Sequence, residues 1–184
     1  MSKGTDVDQS RSAESVRAEV RAYLARCTSL REALMIEPDD MLEPRLLGMG
    51  EHNINFAFNA QDGRAFVLRV NVVMQPFHEN QILYEYHALE AALPSGCTPK
   101  PQFIDYASSA PGKGVLVETF CQGEQLNFDA LRPGDIRCAI QMMADVHAVV
   151  LREGCQLFQP ADPLEEMFGE CVQRFRSYLS SGFE

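Results

Sequence analysis

The chain has 184 residues, a formal net charge of −10 at neutral pH and 46% hydrophobic residues. A chain this acidic lacks the positive footprint that nucleic acid requires, and the apolar content excludes wholesale disorder. The length suffices for one domain with a real core, or for part of a larger one.

Met1 to Arg11 is polar and has no apolar segment of the signal-peptide kind. No run reaches the roughly 18 apolar residues of a membrane span, so the expectation is a cytoplasmic protein with no membrane contact. The six cysteines, Cys27, Cys97, Cys121, Cys138, Cys155 and Cys171, show no C-x-x-C spacing. They read as reduced and mostly buried. No histidine and cysteine spacing suggests zinc.

Residues 1–12 read as a disordered tail. From Ser12 a helix is expected, because Val16, Val20, Tyr23, Cys27, Leu30 and Leu34 fall on one stripe. The stripe needs a partner that the sequence does not identify. Pro38-Asp39-Asp40 and Pro44 mark a change to strands. Strands are expected over Arg45 to Gly48, Ile54 to Asn59 and Ala65 to Asn71, with a hairpin turn at Gln61-Asp62-Gly63. A helix from about Glu79 to Leu93 carries Ile82, Tyr86, Leu89 and Leu93 at helical spacing. Two more strands, Gln102 to Tyr106 and Gly114 to Thr119, follow Pro99 and Pro101 and are joined by a loop rich in proline, glycine and serine.

After Gly123 the character becomes helical. Pro133 to Leu151 carries Ile136, Ile140, Met143, His147 and Val150 on one stripe. Asp162-Pro163 opens a last helix, with Asp as N-cap, Pro at the first helical position and Glu165 placed for a capping box. Its apolar face is Leu164, Met167, Phe168, Cys171, Val172, Phe175 and Leu179. The fold class is therefore α+β, a sheet of five strands with a helix, followed by helices.

The chemistry gathers around the third strand. Gly48-Met49-Gly50-Glu51-His52-Asn53 lies between the first two strands. Glycines there let backbone N–H groups approach phosphates where a Cβ would obstruct, although two glycines in a turn are more often only a turn. Phe66, Leu68 and Val70 alternate with Val67 and Arg69, so Arg69 projects to the face that such a loop covers. A solvated strand arginine is the plain alternative. Glu85 lies on the apolar stripe of the following helix, between Ile82 and Leu89. A carboxylate there is costly unless paired, and Arg69 is its natural partner. A strand cation with a helix glutamate is the phosphate-positioning pair of kinases. Glu79 and Glu90 are rival partners, but Glu79 sits in the first helical turn, where a carboxylate needs no further explanation.

Five segments, in order, resemble the aminoglycoside phosphotransferase family, which includes choline and homoserine kinase relatives. They are Leu46 to Asn53, Phe66 to Val70, Tyr84 to Leu89, Val115 to Phe120 with Gly123, and Met143 to Ala148. The resemblance spans about Glu43 to Val150. It implies a protein-kinase-like N-lobe, a five-stranded antiparallel sheet plus helix, over residues 37–122. Residues 1–36 would be the tail and N-terminal helix, and 123–184 the hinge and the first helices of an incomplete C-lobe. It further implies that Gly48, Gly50 and Asn53 form a phosphate loop, that Val67 roofs the adenine, and that Arg69 holds the α- and β-phosphates. Glu85 would orient Arg69, and the backbone from Glu118 to Phe120 would meet the adenine edge. Acidity does not oppose this, because phosphates are held locally by N–H groups and one or two cations.

The chain departs from the family at Arg69, where many members have lysine, and at Asn55, where kinases favour valine. Arginine and lysine are not interchangeable, since arginine is a planar fork that stays charged. Phe103-Ile104-Asp105-Tyr106 resembles the family's magnesium motif but precedes the hinge, so Asp105 reads as structural. His147 reads as a packed histidine. Cys121 has no adjacent cation to activate it.

The family's catalytic H-x-D-x-x-x-x-N is not found. The second neighbours of His52, His78, His87 and His147 are Ile54, Asn80, Leu89 and Val149. The expectation is thus a fragment of an ATP-dependent small-molecule phosphotransferase, with no catalytic residue and no magnesium ligand of its own. It would bind nucleotide weakly, accept a small-molecule substrate only if the missing half is supplied, and self-associate through its C-terminal helices. The alternatives are a non-catalytic pseudokinase module that binds nucleotide or a partner, and a structural domain that has lost ligand binding.

Overall fold

The computed structural model describes residues 13–73, 80–107, 109–124, 126–157 and 162–180. The expected tail over 1–12 lies outside them, as do His78 and Glu79. The architecture is α+β, built on an open five-stranded antiparallel sheet. Its strands are β1 (Arg45–Met49), β2 (Asn53–Asn59), β3 (Ala65–Asn71), β4 (Pro101–Asp105) and β5 (Val115–Thr119). They lie side by side in the order β1-β2-β3-β5-β4. The helices are α1 (Ala13–Arg26), α2 (Thr28–Leu34), α3 (Gln81–Ala92), α4 (Pro133–His147) and α5 (Pro163–Ser180).

Strand alternation sorts the sheet into two faces. Ile54, Phe56 and Phe58 of β2, Phe66, Leu68 and Val70 of β3, and Val115 and Val117 of β5 are buried on one of them. They share a core with Val16, Val20, Tyr23 and Leu24 of α1 and Leu30 and Leu34 of α2. The N-terminal stripe therefore finds its partner in the sheet, and residues 13–36 belong to the same core as the strands. The stripe is also carried by two helices where one is expected. Cys27 adopts extended backbone, with φ −79° and ψ 95°, and stands at the N-cap of α2.

Two polar fastenings hold this layer. Arg31, nearly buried, donates from Nε to the Leu24 carbonyl at 2.9 Å and from its terminal nitrogens to the carbonyls of Glu37 at 2.7 Å and Asp40 at 3.0 Å. It thereby pins the connection from α1 into β1 without a carboxylate partner. The Tyr23 hydroxyl donates to Asp105 Oδ2 at 2.7 Å, and the Ala107 N–H donates to Asp105 Oδ1 at 2.9 Å. Burial, and then hydrogen bonding with Cys27 and Asp105, pushes the Tyr23 phenol well above its ordinary pKa. Asp105 is structural, as its sequence context suggests.

The C-terminal helices differ from expectation in their packing. The helix from Pro133 stops at His147 rather than Leu151. His147 is exposed and not packed on a stripe, and Ile136, Ile140 and Met143 are exposed with it. On α5, Phe168, Phe175 and Leu179 are exposed and Val172 is half-buried. The expected cap is present: Asp162 Oδ1 accepts from the Leu164 and Glu165 N–H groups at 3.0 and 3.1 Å. The cysteines are not mostly buried. Cys121, Cys138 and Cys171 are exposed, the other three are intermediate, and all six are free. The exposed three lie after β5, outside the core. Among the described residues, no helix is long and apolar enough to cross a membrane.

The loop before β5 contains a close backbone approach. A Cβ on Gly112, whose φ is +61°, would stand 2.4 Å from the Asn71 carbonyl oxygen and 2.8 Å from Val70 Cγ1. Gly112→Ala is therefore expected to destabilise the fold by about 2–3 kcal/mol in denaturant unfolding. Gly123→Ala, whose added methyl meets nothing within 4 Å, should stay within about 0.5 kcal/mol of the parent.

Candidate functional site

The second face of the sheet carries the polar residues. Alternation places Asn53, Asn55 and Ala57 of β2 there, with Val67, Arg69 and Asn71 of β3 and Leu116 and Glu118 of β5. Gly48, Asn55, Arg69, Leu116 and Ile104 form one transverse row from β1 to β4. α3 packs against β4 and β5.

At one end of this face β1 turns into β2. The Gly50 N–H donates to the Asn53 carbonyl at 2.8 Å, which closes a tight turn. Neither Gly48 nor Gly50 has a positive φ. A Cβ on Gly48 would meet nothing within 4 Å, and one on Gly50 would make only ordinary contact with Asn53, at 3.6 Å from Oδ1. The packing and dihedrals of the protein thus require glycine at neither position. What the glycines provide is open space beside the backbone.

Arg69 stands in the middle of β3. One terminal nitrogen donates to Glu85 Oε2 at 2.9 Å, the ion pair expected from the sequence. The side chains of Arg69 and Glu85 are only 30% and 21% exposed. The second oxygen of Glu85 accepts from Gln81 Nε2 at 2.9 Å. Gln81 begins α3, whose N-cap Asn80 accepts from the Leu83 N–H at 3.2 Å. The cap sets the start of the helix, and the i, i+4 spacing then lays Gln81 beside Glu85. Sequence reasoning missed Gln81, although this spacing is its signal. Of the rivals, Glu90 pairs with His87 Nδ1 at 3.1 Å, and Glu79 lies outside the described residues.

Several polar atoms near Arg69 have no partner. Arg69 Nε, Asn55 Oδ1 and Asn71 Oδ1 are buried without a hydrogen bond among the described residues, and so is His52 Nδ1 in the turn before β2. Asn71 is only 2% exposed. Buried polar atoms are ordinarily satisfied by protein or water. Three of these share one sheet face, which therefore suits a group that offers both donors and acceptors.

Glu118 lies within the expected strand, and Phe120 follows it directly. Glu118 is inside β5, opposite Val67 on one side and Pro101 on the other. Its side chain belongs to the Arg69 face and the residue is 7% exposed. Burial pushes its carboxyl pKa up; Arg69 pulls it down by a smaller amount, and Glu85 adds to the rise. The Thr119 N–H donates to the Lys100 carbonyl at 2.9 Å, and the Phe120 N–H to the Ala65 carbonyl at 3.0 Å. Sheet pairing thus continues through Phe120, and any backbone donor for a ligand has to come from Cys121 onward. The sequence shows where the apolar strand ends but not how far its hydrogen bonds run.

The structure brings Asn53, Val67, Arg69, Glu85 and Glu118 to one face, with Gly48 at its edge. A separate cavity of about 440 Å³ lies elsewhere, between α3 and residues 150–156, and is lined in part by His87, Glu90, Leu93 and Cys155. Among the described residues, no group of three histidine, cysteine, aspartate or glutamate side chains is placed to hold a metal ion. Comparison with known protein families, with curated proteins and with solved structures finds no match to this chain.

The Glu118 carboxyl gives a test of this geometry. Its raised pKa means that the fold disfavours the ionised form. That cost is absent below the ordinary carboxylate range and develops as the pH rises through the unfolded pKa towards the folded one. Glu118→Gln is therefore expected to raise the melting temperature at neutral pH and to leave it unchanged near pH ~3. Equal stabilities at both pH values would mean that Arg69 fully offsets the burial of the charge.

Proposed function

We propose that this chain is the nucleotide-binding half of an ATP-dependent small-molecule phosphotransferase of the aminoglycoside phosphotransferase and choline kinase type. The observation that carries the reading is the Arg69–Glu85 pair, 2.9 Å long, on the sheet face that begins at the glycine turn. The partial exposure of Arg69 supports it, because a guanidinium held by one carboxylate has further donors for phosphate oxygens. So does the open space at Gly48 and Gly50, which internal packing does not require. The order of three strands, a helix and two strands agrees with a kinase-like small lobe.

In this reading Arg69 holds the α- and β-phosphates and Glu85, braced by Gln81, fixes the angle of its fork. Gly48, Gly50 and Asn53 let the turn approach the phosphates. Val67, opposite Ala57, gives the base an apolar roof. Backbone groups from Cys121 onward meet its edge. Bound ATP supplies the phosphoryl group to be transferred. The four histidines are not followed by an aspartate at the second position, so the family's H-x-D pattern is not found in this sequence. That feature favours a second reading, a non-catalytic nucleotide- or partner-binding module.

Titration with ATP, with and without magnesium, is expected to show weak binding that Arg69→Ala abolishes. Gly48→Ala and Gly50→Ala should weaken it several-fold while leaving the unfolding midpoint within about 0.5 kcal/mol of the parent. Binding that ignores all three substitutions would overturn the reading. The chain alone should show no acceptor-dependent ATP turnover under either reading.

The uncovered apolar faces of α4 and α5 are expected to drive association, since large exposed apolar patches seek partners. Light scattering should show species larger than a monomer, reduced by Phe168→Ser with Phe175→Ser. A monodisperse monomer at high concentration would count against a missing partner surface.

A further inference from the structure

The Arg69 patch holds one guanidinium and two carboxylates. Glu85 has both oxygens engaged, by Arg69 and by Gln81, each at 2.9 Å. Glu118 is buried more deeply, yet no hydrogen bond reaches its carboxylate from the described residues. The register sets Glu118 opposite Val67 while Arg69 is opposite Leu116, so Glu118 and Arg69 are diagonal neighbours on the same face. Diagonal positions are ~7–8 Å apart, within reach of long side chains. Arg69 Nε remains buried and unpartnered.

We propose that a phosphate-bearing ligand enters this site together with one proton, which the Glu118 carboxylate takes up from solvent. This rests on the nucleotide reading above. Without ligand, Arg69 is paired with Glu85 and lies diagonal to Glu118, and the three side chains sum to one negative charge when both carboxylates are ionised. A phosphate group drawn to Arg69 brings more negative charge to a face screened by α3. Glu85 keeps its charge because it is hydrogen-bonded to Arg69 and Gln81. Glu118 has no such bonds among the described residues, so protonation relieves the repulsion there most readily. The charged groups that face it are Arg69 from β3 and Glu85 from α3. β4 sets Pro101 opposite it, which does not titrate. The direction of its pKa is consistent, since burial already favours the neutral form.

The test is calorimetric titration of ATP, and separately of inorganic tripolyphosphate, in buffers of different ionisation enthalpy from pH 6 to 8. This counts the protons taken up on binding. Glu118→Gln, close in shape and uncharged, is measured beside the parent, and the difference removes the titration of the ligand itself. The expected result is a greater proton uptake, of at most one proton, for the parent than for the variant within that window, with parent affinity falling more steeply as the pH rises. Equal proton counts and parallel pH profiles would overturn the proposal while leaving the nucleotide reading intact. Absence of binding by the folded parent at every pH would overturn both. If Glu118→Gln does not fold, the parent's uptake beyond the known protonation of the ligand decides the matter alone.

Discussion

A guanidinium in the middle strand of a sheet, held between two neighbouring strands, has to be neutralised. Arg69 meets this condition through Glu85, and much of the second face follows from it. The pair ties α3 to the sheet at a fixed rotation. Gln81 is aligned by the same helix, and the Asn80 cap determines where that helix starts. A β3 strand with an apolar residue in place of Arg69 would leave Glu85 as a half-buried carboxylate without a cation, a costly arrangement.

The opposite face obeys a different constraint. Phe56, Phe66 and Leu68 need cover, and α1 and α2 provide it. The two faces meet in β3, where successive residues serve the core and the polar patch in turn. The core side is fully buried, and alternation along β3 fixes the Arg69 side relative to it. The hydrogen bond from Tyr23 to Asp105 ties the same layer to the edge strand β4. The C-terminal helices stand apart from this arrangement. Their stripes are well formed but largely exposed, so helical periodicity is satisfied locally while most of each apolar face stays uncovered among the described residues.

Glu118 shows how tertiary context changes the role of a residue. The sequence places it near the end of a strand, and the family resemblance implies a role for its backbone. In the fold it is a buried side chain facing Arg69, and the hydrogen bonds of the sheet continue two residues beyond it. A charged residue at a strand end reads as solvated. α3 packs against β5 and brings Glu85 to the same face, a contact that no local pattern announces.

The strands, the hairpin at Asp62-Gly63, the last helix with its Asp162 cap, and the Arg69–Glu85 pair were all legible in the sequence. Each follows from short-range rules: alternation, positive-φ turn chemistry, side-chain capping, and the cost of an unpaired carboxylate on an apolar stripe. Tertiary structure alone decided the order of β5 and β4, the cover over the first face, the break at Cys27, and the burial of Glu118. It also left His147 and three cysteines exposed where packing was expected. The physical reason is common to all of these. Periodicity states which residues prefer to be buried, but burial needs a second surface, and which surface arrives is set by contacts between segments far apart in the chain.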